Sequence, residues 1–494
     1  MTAHLQDQLV PEPGGATAPR LTGDSSGPSV VWTIFRKEVR QVAGSFRFHA
    51  AAVLLAGLMA LGAVTGGARY HSEVLVQSPL ADSYAAEAAG VSVGRLTEVL
   101  HPAVKPPWVL TAVVDGGQEA TPNVYAQALS PLVAPELRQV HSGNERLPGR
   151  EPLDWMFAIR VVLPLAAFLL GYDAVCGERR RGTLSLLLSY PLPRWKVLAS
   201  KLLALWSCLA APFLAGAAVS LLLAAGAEGL PLRTEDWLKI ALVGLLGLWA
   251  AAFFALIAIL VSSWCREPST SLSVLAWLWV TGVIVVPALS GLLAHRLRPV
   301  PTEGEIAGRM RAIDQEITRE YAGREGHWRL PEWAAADGFT WERASAEAES
   351  RRAAAREEVR QRALRRKVGQ ARLAKTLAWL SPASLVADLG ERLTGSGLGR
   401  DESFLAQARG FRQVLAERVR ALDAGDPRSP HILFFSGYVS ERPVPPGAVP
   451  RFAFHELPAR QGLRAALPLL ALLGAETLAL AAASLFFFSR SERG

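Results

Sequence analysis

The chain has 494 residues, of which 50% are apolar and only 19% are charged, and its formal net charge is +8. A soluble domain carries about 25% charged residues, so this composition excludes a disordered chain, and the length excludes a mini-protein. The apolar residues are concentrated in long runs that alternate with Arg/Glu-rich blocks, which indicates a membrane protein with large water-exposed insertions.

The N-terminal region divides into a polar tail and an amphipathic helix. Residues 1–28 are polar and lack an apolar core, which predicts a disordered cytoplasmic tail rather than a signal peptide. Residues 29–47 predict an amphipathic helix in the membrane interface, because apolar side chains recur three or four positions apart opposite Arg36, Lys37 and Arg40. Those apolar side chains are Trp32, Phe35, Val39, Val42 and Phe46.

Six apolar segments are each long enough to cross a hydrocarbon layer of about 30 Å. Their residues are 48–67, 155–174, 202–226, 240–261, 271–294 and 465–488. Basic flanks lie before the first span, between the second and third spans and after the last span, so the positive-inside rule predicts that both termini are cytoplasmic. We therefore attribute the net positive charge to the cytoplasmic face of a membrane and not to nucleic-acid binding.

The two long segments that remain, residues 68–154 and 295–464, are predicted to be extracytoplasmic. The first is rich in proline and predicts short helices or strands, whereas the second predicts long helices in its Ala/Arg/Glu-rich runs, 303–321 and 341–380. Their mixed charges are typical of a solvated helical face or, alternatively, of a docking surface. The predicted fold class is mainly α, with a six-helix transmembrane domain and a large, mostly helical extracytoplasmic domain.

Motifs for catalysis are missing from the sequence. It contains no phosphate-binding loop of the form G-x-x-x-x-G-K-[ST] and no G-x-S-x-G nucleophile turn, and no histidine pair has metal-ligand spacing. Its three cysteines exclude a disulfide framework. We therefore expect a chain that is not itself an enzyme and that binds no metal or cofactor of its own.

The most distinctive pattern lies in residues 175–201, the predicted cytoplasmic loop between the second and third spans. Glu178 and three arginines end the second span, Gly182 permits a turn, and Thr183 is predicted to cap a short helix over Leu184–Leu188. The residues alone allow two interpretations: a stop-transfer loop with positive-inside arginines, or a short helix that fits a groove on a cytoplasmic partner.

This loop resembles the signature of ABC-2 type exporter permeases, G-E-x-x-x-G-T-L-x-x-L-L-S-x-P-x-x-R followed by a lysine. A helix of the form F-x-K-E-x-R before the first span, with Phe35, Lys37, Glu38 and Arg40, is also similar to that family. The large insertion before the last span resembles the sub-branch of nitrous-oxide-reductase maturation and gliding-motility permeases. The matching loop residues are Gly177, Glu178, Gly182, Thr183, Leu184, Leu187, Leu188, Ser189, Pro191, Arg194 and Lys201.

The resemblance implies the permease subunit of an ATP-driven exporter in the bacterial cytoplasmic (inner) membrane. The loop would act as a coupling helix on a separate ATPase, with Arg179, Arg181 and Leu184–Leu188 at the contact and with Glu178 and Arg194 bracing the loop. Two ATPase copies would bind ATP and Mg, and a second permease, identical or paralogous, would complete the unit. Membrane lipids and extracytoplasmic or lipoprotein partners are further expected contacts.

A second functional hypothesis is a membrane scaffold that transmits ATPase motion to extracytoplasmic partners without transporting substrate. The two outer segments favour it, because they exceed what a simple gate needs.

Glu476 and Arg160 are charged residues that fall inside predicted spans. An unpaired carboxylate at Glu476 is costly in the membrane, so we expect it to be protonated or paired, with either a structural role between helices or a role in gating. Arg160 lies near the outer end of the second span and could extend its guanidinium toward the interface.

Overall fold

A computed structural model describes most of the chain. The described residues are 28–88, 90–118, 121–140, 152–189, 193–226, 230–321, 340–433, 436–445 and 447–490. Residues 1–27, which make up nearly all of the predicted tail, and the predicted loop residue Pro191 lie outside them.

The described part of the chain is mainly helical, and six of its helical segments are long and apolar enough to cross a membrane, which confirms the predicted fold class. We call them spans 1 to 6: Phe46–Leu80, Trp155–Arg180, Arg194–Gly226, Thr234–Trp264, Pro268–Leu297 and Ala459–Ser489. The α-helices are α1 (Pro28–Ala43), α2 (Phe46–Ala88), α3 (Val93–Glu98), α4 (Trp155–Phe157), α5 (Leu163–Gly171), α6 (Cys176–Arg180), α7 (Thr183–Leu188), α8 (Arg194–Gly226), α9 (Thr234–Trp264), α10 (Pro268–Val280), α11 (Val286–Leu297), α12 (Glu303–Tyr321), α13 (Thr340–Ala378), α14 (Pro382–Thr394), α15 (Leu398–Ala424) and α16 (Ala459–Arg490). Two π-helical segments, Ala158–Val162 and Thr281–Val285, lie within spans 2 and 5.

The helices extend beyond the apolar segments that predicted them. The first segment was expected to end at residue 67, but α2 continues to Ala88 and passes through Pro79. The third segment was expected to begin at residue 202, but α8 begins at Arg194. Hydropathy marks only the apolar stretch of a helix, whereas polar residues with good helix propensity prolong it into water.

Close packing joins the spans into one bundle. Span 1 packs on span 3, and span 4 packs on spans 2 and 6. The ring of Phe213 lies directly over Gly247, where a Cβ would stand 2.3 Å from the ring, so only glycine permits this approach. The indole of Trp155 packs edge-on against Phe213 and donates a hydrogen bond of 2.9 Å to Ser220. Small residues therefore let the spans approach as closely as they do.

The two insertions fold together at one end of the bundle. We call this part, which comprises the described residues within 81–153, 298–374 and 395–458, the extramembrane domain, after its expected position. Its three-stranded antiparallel sheet has the order β1 (His101–Val104), β2 (Val124–Gln127), β3 (Glu136–Arg138) and comes from the first insertion. Helix α15 from the second insertion covers one face of the sheet, where Phe404 and Ala408 pack against Ala103 and Tyr125.

Arg400 connects the two insertions. Its guanidinium, almost fully buried, donates to both carboxylate oxygens of Glu456, to Gln118 Oε1 (2.7 Å) and to the carbonyl of Pro106 (2.8 Å). It also lies 4.8 Å from the centre of the Trp108 ring. Residues nearly 300 positions apart are therefore held in one network, to which Glu456 contributes the carboxylate.

Part of the second insertion lies beside the spans rather than beyond them. Helix α13 packs along α11 of span 5, and the hydroxyl of Ser381 donates a 2.6 Å hydrogen bond to the carbonyl of Gly282 within that span. We call residues 379–382, which join α13 to α14, the corner. Gly282 is 14 residues from the start of span 5 at Pro268, or about 21 Å along the helix. The extracytoplasmic location of residues 295–464 stays a prediction, and the corner is the part of them that bonds to the middle of span 5.

Acidification is expected to destabilise the extramembrane domain through His101. The ring is buried, with Nε2 donating to the carbonyl of Leu96 and Nδ1 accepting from the Tyr84 hydroxyl, and burial lowers its pKa from 6.5 to about 4. The unfolded chain therefore binds a proton first as the pH falls, so stability is full above about pH 6.5 and decreases by about 2 kcal/mol by pH 5. Thermal unfolding midpoints measured from pH 7.5 to pH 5 test this loss of stability, and the midpoint of His101→Gln should fall less with pH than that of the wild type. Equal dependence of the two midpoints on pH would mean that other groups cause the loss.

Candidate functional site

Helix α1 lies against one end of the bundle, the end opposite the extramembrane domain. We call this end of the bundle the α1 end. The helix packs along α8, with Ile34 and Glu38 buried against it. The predicted apolar stripe is shifted by about one position, because Trp32 and Phe46 are exposed and Trp32 stacks on Phe35 at 5.2 Å. The apolar pattern of the sequence did not predict this shift, because the buried face of α1 includes the Glu38 carboxylate.

That carboxylate belongs to a group of four side chains, Lys37, Glu38, Glu178 and Lys201, which we call the charge cluster. Lys201 Nζ lies 2.8 Å from Glu178 Oε2 and 3.1 Å from Glu38 Oε1. Lys37 Nζ lies 3.1 Å from Glu178 Oε1 and 3.5 Å from Glu38 Oε1. The structure therefore brings two sequence motifs, more than 130 residues apart, into one electrically neutral site.

Burial differs within the charge cluster. The Lys201 side chain is 1% exposed and both carboxylates are buried, whereas the Lys37 side chain is about half exposed. Burial by itself lowers the pKa of Lys37, but the hydrogen bond and the charge of Glu178 outweigh it, so this pKa is raised above its usual value. Buried charges persist in a protein only where they are paired, and here each charge faces at least one opposite charge.

The loop after span 2 is held to the bundle by backbone contacts. Arg179 donates to the carbonyls of Cys265 (2.9 Å) and Ser263 (3.1 Å) at the end of span 4. Its guanidinium is thus turned toward the bundle, and a contact of Arg179 with a partner stays a prediction. Thr183 does not cap α7; Gly182 does, with a φ of 73°, and the Thr183 hydroxyl donates to the carbonyl of Glu178 (3.3 Å). A positive φ explains the need for glycine at this turn.

Helix α7 has an inward and an outward face. Leu184 is 3% exposed and Leu187 is partly buried against the core, so Leu184 faces inward, and a contact of these two leucines with a partner stays a prediction. Leu186, which lies within the predicted contact range Leu184–Leu188, is 67% exposed. The outward face consists of Arg181, Gly182, Thr183, Ser185 and Leu186. A run of leucines does not show which of its members faces inward, and the Leu188 side chain lies outside the described part.

Arg194 and Arg40 occupy different positions at the α1 end. Arg194 begins α8 and donates to the carbonyl of Ser489 at the end of α16, so it joins spans 3 and 6. Arg40 is exposed on α1. The expected role of Glu178 and Arg194 in bracing the loop stays a prediction.

Glu476 and Arg160, which the sequence places inside spans, do not belong to the charge cluster. Glu476 in α16 is partly buried, and its Oε2 atom has no hydrogen-bond partner among the described residues, so the expected pairing is not observed there. Arg160 lies 6.0 Å from the Phe157 ring and lines a small pocket near the corner. Within the described ranges, no group of three or more His, Cys, Asp or Glu side chains is arranged to hold a metal ion.

Comparisons with known proteins agree on one family. The model of the ABC-2 family transporter protein matches residues 32–493. A protein named probable ABC transporter permease protein NosY from Stutzerimonas stutzeri is 42% identical over 77 residues, 15% of this chain and 28% of the relative. A protein of the same name from Pseudomonas aeruginosa is 55% identical over 42 residues, 8% of this chain and 15% of the relative. The chain therefore matches less than a third of the length of either relative.

Proposed function

The chain belongs to the ABC-2 family of transporter proteins, and from this premise we propose that it is the permease subunit of an ATP-driven exporter. In this proposal a separate ATPase binds at the α1 end and couples ATP hydrolysis to substrate export or conformational change across the membrane. The ATPase, in two copies, carries ATP and Mg, and this chain contributes no catalytic group.

The charge cluster is the observation that carries the proposal. It ties α1 to the end of span 2 and to the start of span 3, while α7 presents Leu186 to the outside a few residues from Glu178. Force applied to α7 would therefore move α1, the end of span 2 and the start of span 3 together, because separating the buried ions that join them costs a large free energy.

The proposed orientation places the α1 end and both termini in the cytoplasm, in a bacterial inner membrane. It is supported by basic residues at that end, among them Arg36, Arg40, Arg180 and Arg181. A second permease, identical or paralogous, would complete the unit, and extracytoplasmic or lipoprotein partners would meet the extramembrane domain.

Replacing Leu186 by aspartate is expected to weaken binding of the ATPase by at least about thirtyfold. An exposed leucine on a short rigid helix is suited to fill a pocket on a partner, and losing such an anchor costs about 2 kcal/mol or more. The measurement is co-purification of an ABC ATPase from native membranes with the tagged chain.

Two variants control this experiment. Leu137→Asp makes the same change at an exposed leucine of the extramembrane domain and should retain the ATPase. Leu184→Asp should instead lower the amount of folded chain, because that leucine is buried. Full retention of the ATPase by a folded Leu186→Asp chain would count against the proposal.

A scaffold that transmits force without transporting substrate is a second candidate. The packing of α13 along α11, together with the hydrogen bond from Ser381 to Gly282, favours it, because motion of span 5 would move the extramembrane domain directly. Transport assays in vesicles, with spin-label distances between α13 and α15 measured with and without ATP, separate the two. Distance changes without any transported substrate would favour the scaffold.

A further inference from the structure

A small pocket lies between spans 2 and 5 and the corner. It has a volume of about 160 Å³, which is room for about ten water molecules. Its walls come from the π-helical segments of both spans, from the last turns of α13 and from α14. The lining combines four charged side chains with small or apolar ones: Arg160, Lys375, Asp388 and Glu391 with Val283, Pro287, Ala378, Ala383, Ser384 and Ala387.

The pocket is lined by residues whose distance along spans 2 and 5 can be counted from the ends of those spans. The indole of Trp279 in span 5 donates a 2.9 Å hydrogen bond to the carbonyl of Val161 in span 2, so these residues share a depth. Arg160 is five residues from the start of span 2 at Trp155, or about 8 Å. Span 5 runs from the opposite side of the membrane, and Gly282 lies about 21 Å along it from Pro268. About 9 Å of a 30 Å hydrocarbon layer then remains between Gly282 and the far side. With the hydrocarbon layer taken to begin at Trp155 in span 2 and at Pro268 in span 5, both counts put the pocket in the outer part of one leaflet.

The four charged side chains that line the pocket, two cationic and two anionic, sum to zero formal charge, and Arg392 lies directly behind them. Lys375 bonds to the carboxylate of Glu391 and lies 3.7 Å from Asp388 Oδ1. Asp388 also accepts from Arg392 (3.0 Å) and from the Trp379 indole (3.1 Å). Cationic and anionic groups are therefore fixed side by side at a depth where an unpaired charge is costly.

We propose that this pocket binds the headgroup of a zwitterionic phospholipid from the adjacent leaflet, one that carries a phosphate and a primary ammonium. The phosphate would meet Arg160 and Lys375, and the ammonium would donate to Asp388 and Glu391. Since the lining is neutral, an anionic headgroup would bring an uncompensated charge, whereas a zwitterion brings none. A primary ammonium donates hydrogen bonds to carboxylates, which a quaternary choline does not.

The surroundings of the pocket suit acyl chains. Leu380 at the corner is 82% exposed, and only 6% of the most apolar stretch of span 5 is buried within the chain. Apolar surface at this depth favours hydrocarbon as its neighbour. Bound in this way, the lipid would connect span 5 to the corner and thus to α13 and α14.

Native mass spectrometry of the purified full-length chain tests the proposal, with phosphatidylethanolamine, phosphatidylcholine and phosphatidylglycerol each titrated in detergent. We expect phosphatidylethanolamine to bind one copy per chain at least tenfold more tightly than either other lipid. Ala387→Leu fills the pocket without changing a charge, and Lys375→Ala removes one cation; each should weaken that binding at least tenfold. Arg372→Ala, one turn away on α13 and outside the pocket, should bind as the wild type does.

Equal binding of the three lipids, or unchanged binding to a folded Ala387→Leu chain, would overturn the proposal. It would also be overturned if Ala387→Leu abolished self-association of the chain in the absence of lipid, because the pocket would then be a contact with a second copy of the chain. Thermal midpoints verify that each variant is folded. The proposal rests on membrane insertion and not on the ATPase, so Leu186→Asp should leave lipid binding unchanged even where ATPase retention fails.

Discussion

Replacing Lys201 by methionine is expected to destabilise the chain by about 3–5 kcal/mol. Lys201 is 1% exposed and lies between the Glu38 and Glu178 carboxylates, so its loss leaves two buried anions with only the half-exposed Lys37. Removing one partner from a buried ionic group costs this much because the remaining charge loses both its partner and its hydration. The measurements are the amount of chain in the membrane and its thermal midpoint in detergent.

A double variant makes this prediction specific. Lys201→Met with Glu178→Gln restores neutrality, because Lys37 and Glu38 remain as a pair 3.5 Å apart. The double variant should therefore be more stable than Lys201→Met alone, with a coupling energy of about 1–3 kcal/mol. Arg181→Ala, on the exposed face of α7, is the matched control and should change stability by less than about 0.5 kcal/mol. Additive losses from the two changes would mean that the residues do not act as one cluster.

Replacing Arg400 by methionine is expected to separate the two insertions, at a cost of about 4 kcal/mol. The change leaves Glu456, the Gln118 amide oxygen and the Pro106 carbonyl without the donor that joins them. An unpaired buried acceptor costs about 1–3 kcal/mol, and an unpaired charge costs more. Protease cleavage within the extramembrane domain, at constant amounts of full-length chain, measures the loss.

Arg400→Lys should rescue little, because an ammonium cannot reproduce the planar set of donors that reaches three acceptors at once. Arg372→Ala is the control: its side chain is 64% exposed and pairs with Glu402 at the surface, so the effect should stay below about 1 kcal/mol. Near-wild-type protease resistance of the Arg400→Met chain would show that other contacts hold the insertions together.

The family and the membrane architecture were accessible from the sequence. Spans are recognisable because a bilayer requires about 20 consecutive apolar residues, a constraint that acts on local composition. The loop signature was accessible for a similar reason, since Gly177, Gly182 and Arg194 occupy fixed offsets along one short segment. The left-handed turn at Gly182 illustrates how a local backbone requirement selects a residue type.

Roles within those segments were less accessible. Leu184, Leu186 and Leu187 are chemically identical, and only the packing of α7 on the bundle distinguishes the inward pair from the exposed one. Arg179 and Arg181 are likewise the same residue type in one short segment. Arg179 donates to carbonyls at the end of span 4, whereas Arg181 is exposed. Helix periodicity over six residues is too short to fix which face is buried.

The sequence by itself therefore determined what depends on neighbours along the chain: six spans, their basic flanks, the turn glycine and the family. The tertiary structure alone decided what depends on distant residues. It brought Lys37 and Glu38 to Glu178 and Lys201, joined the insertions at Arg400, and placed the corner beside span 5. The physical reason is that an ion pair or hydrogen bond between residues far apart in the chain depends on the distance between their side chains. That distance is set by how the helices pack, which local composition does not specify.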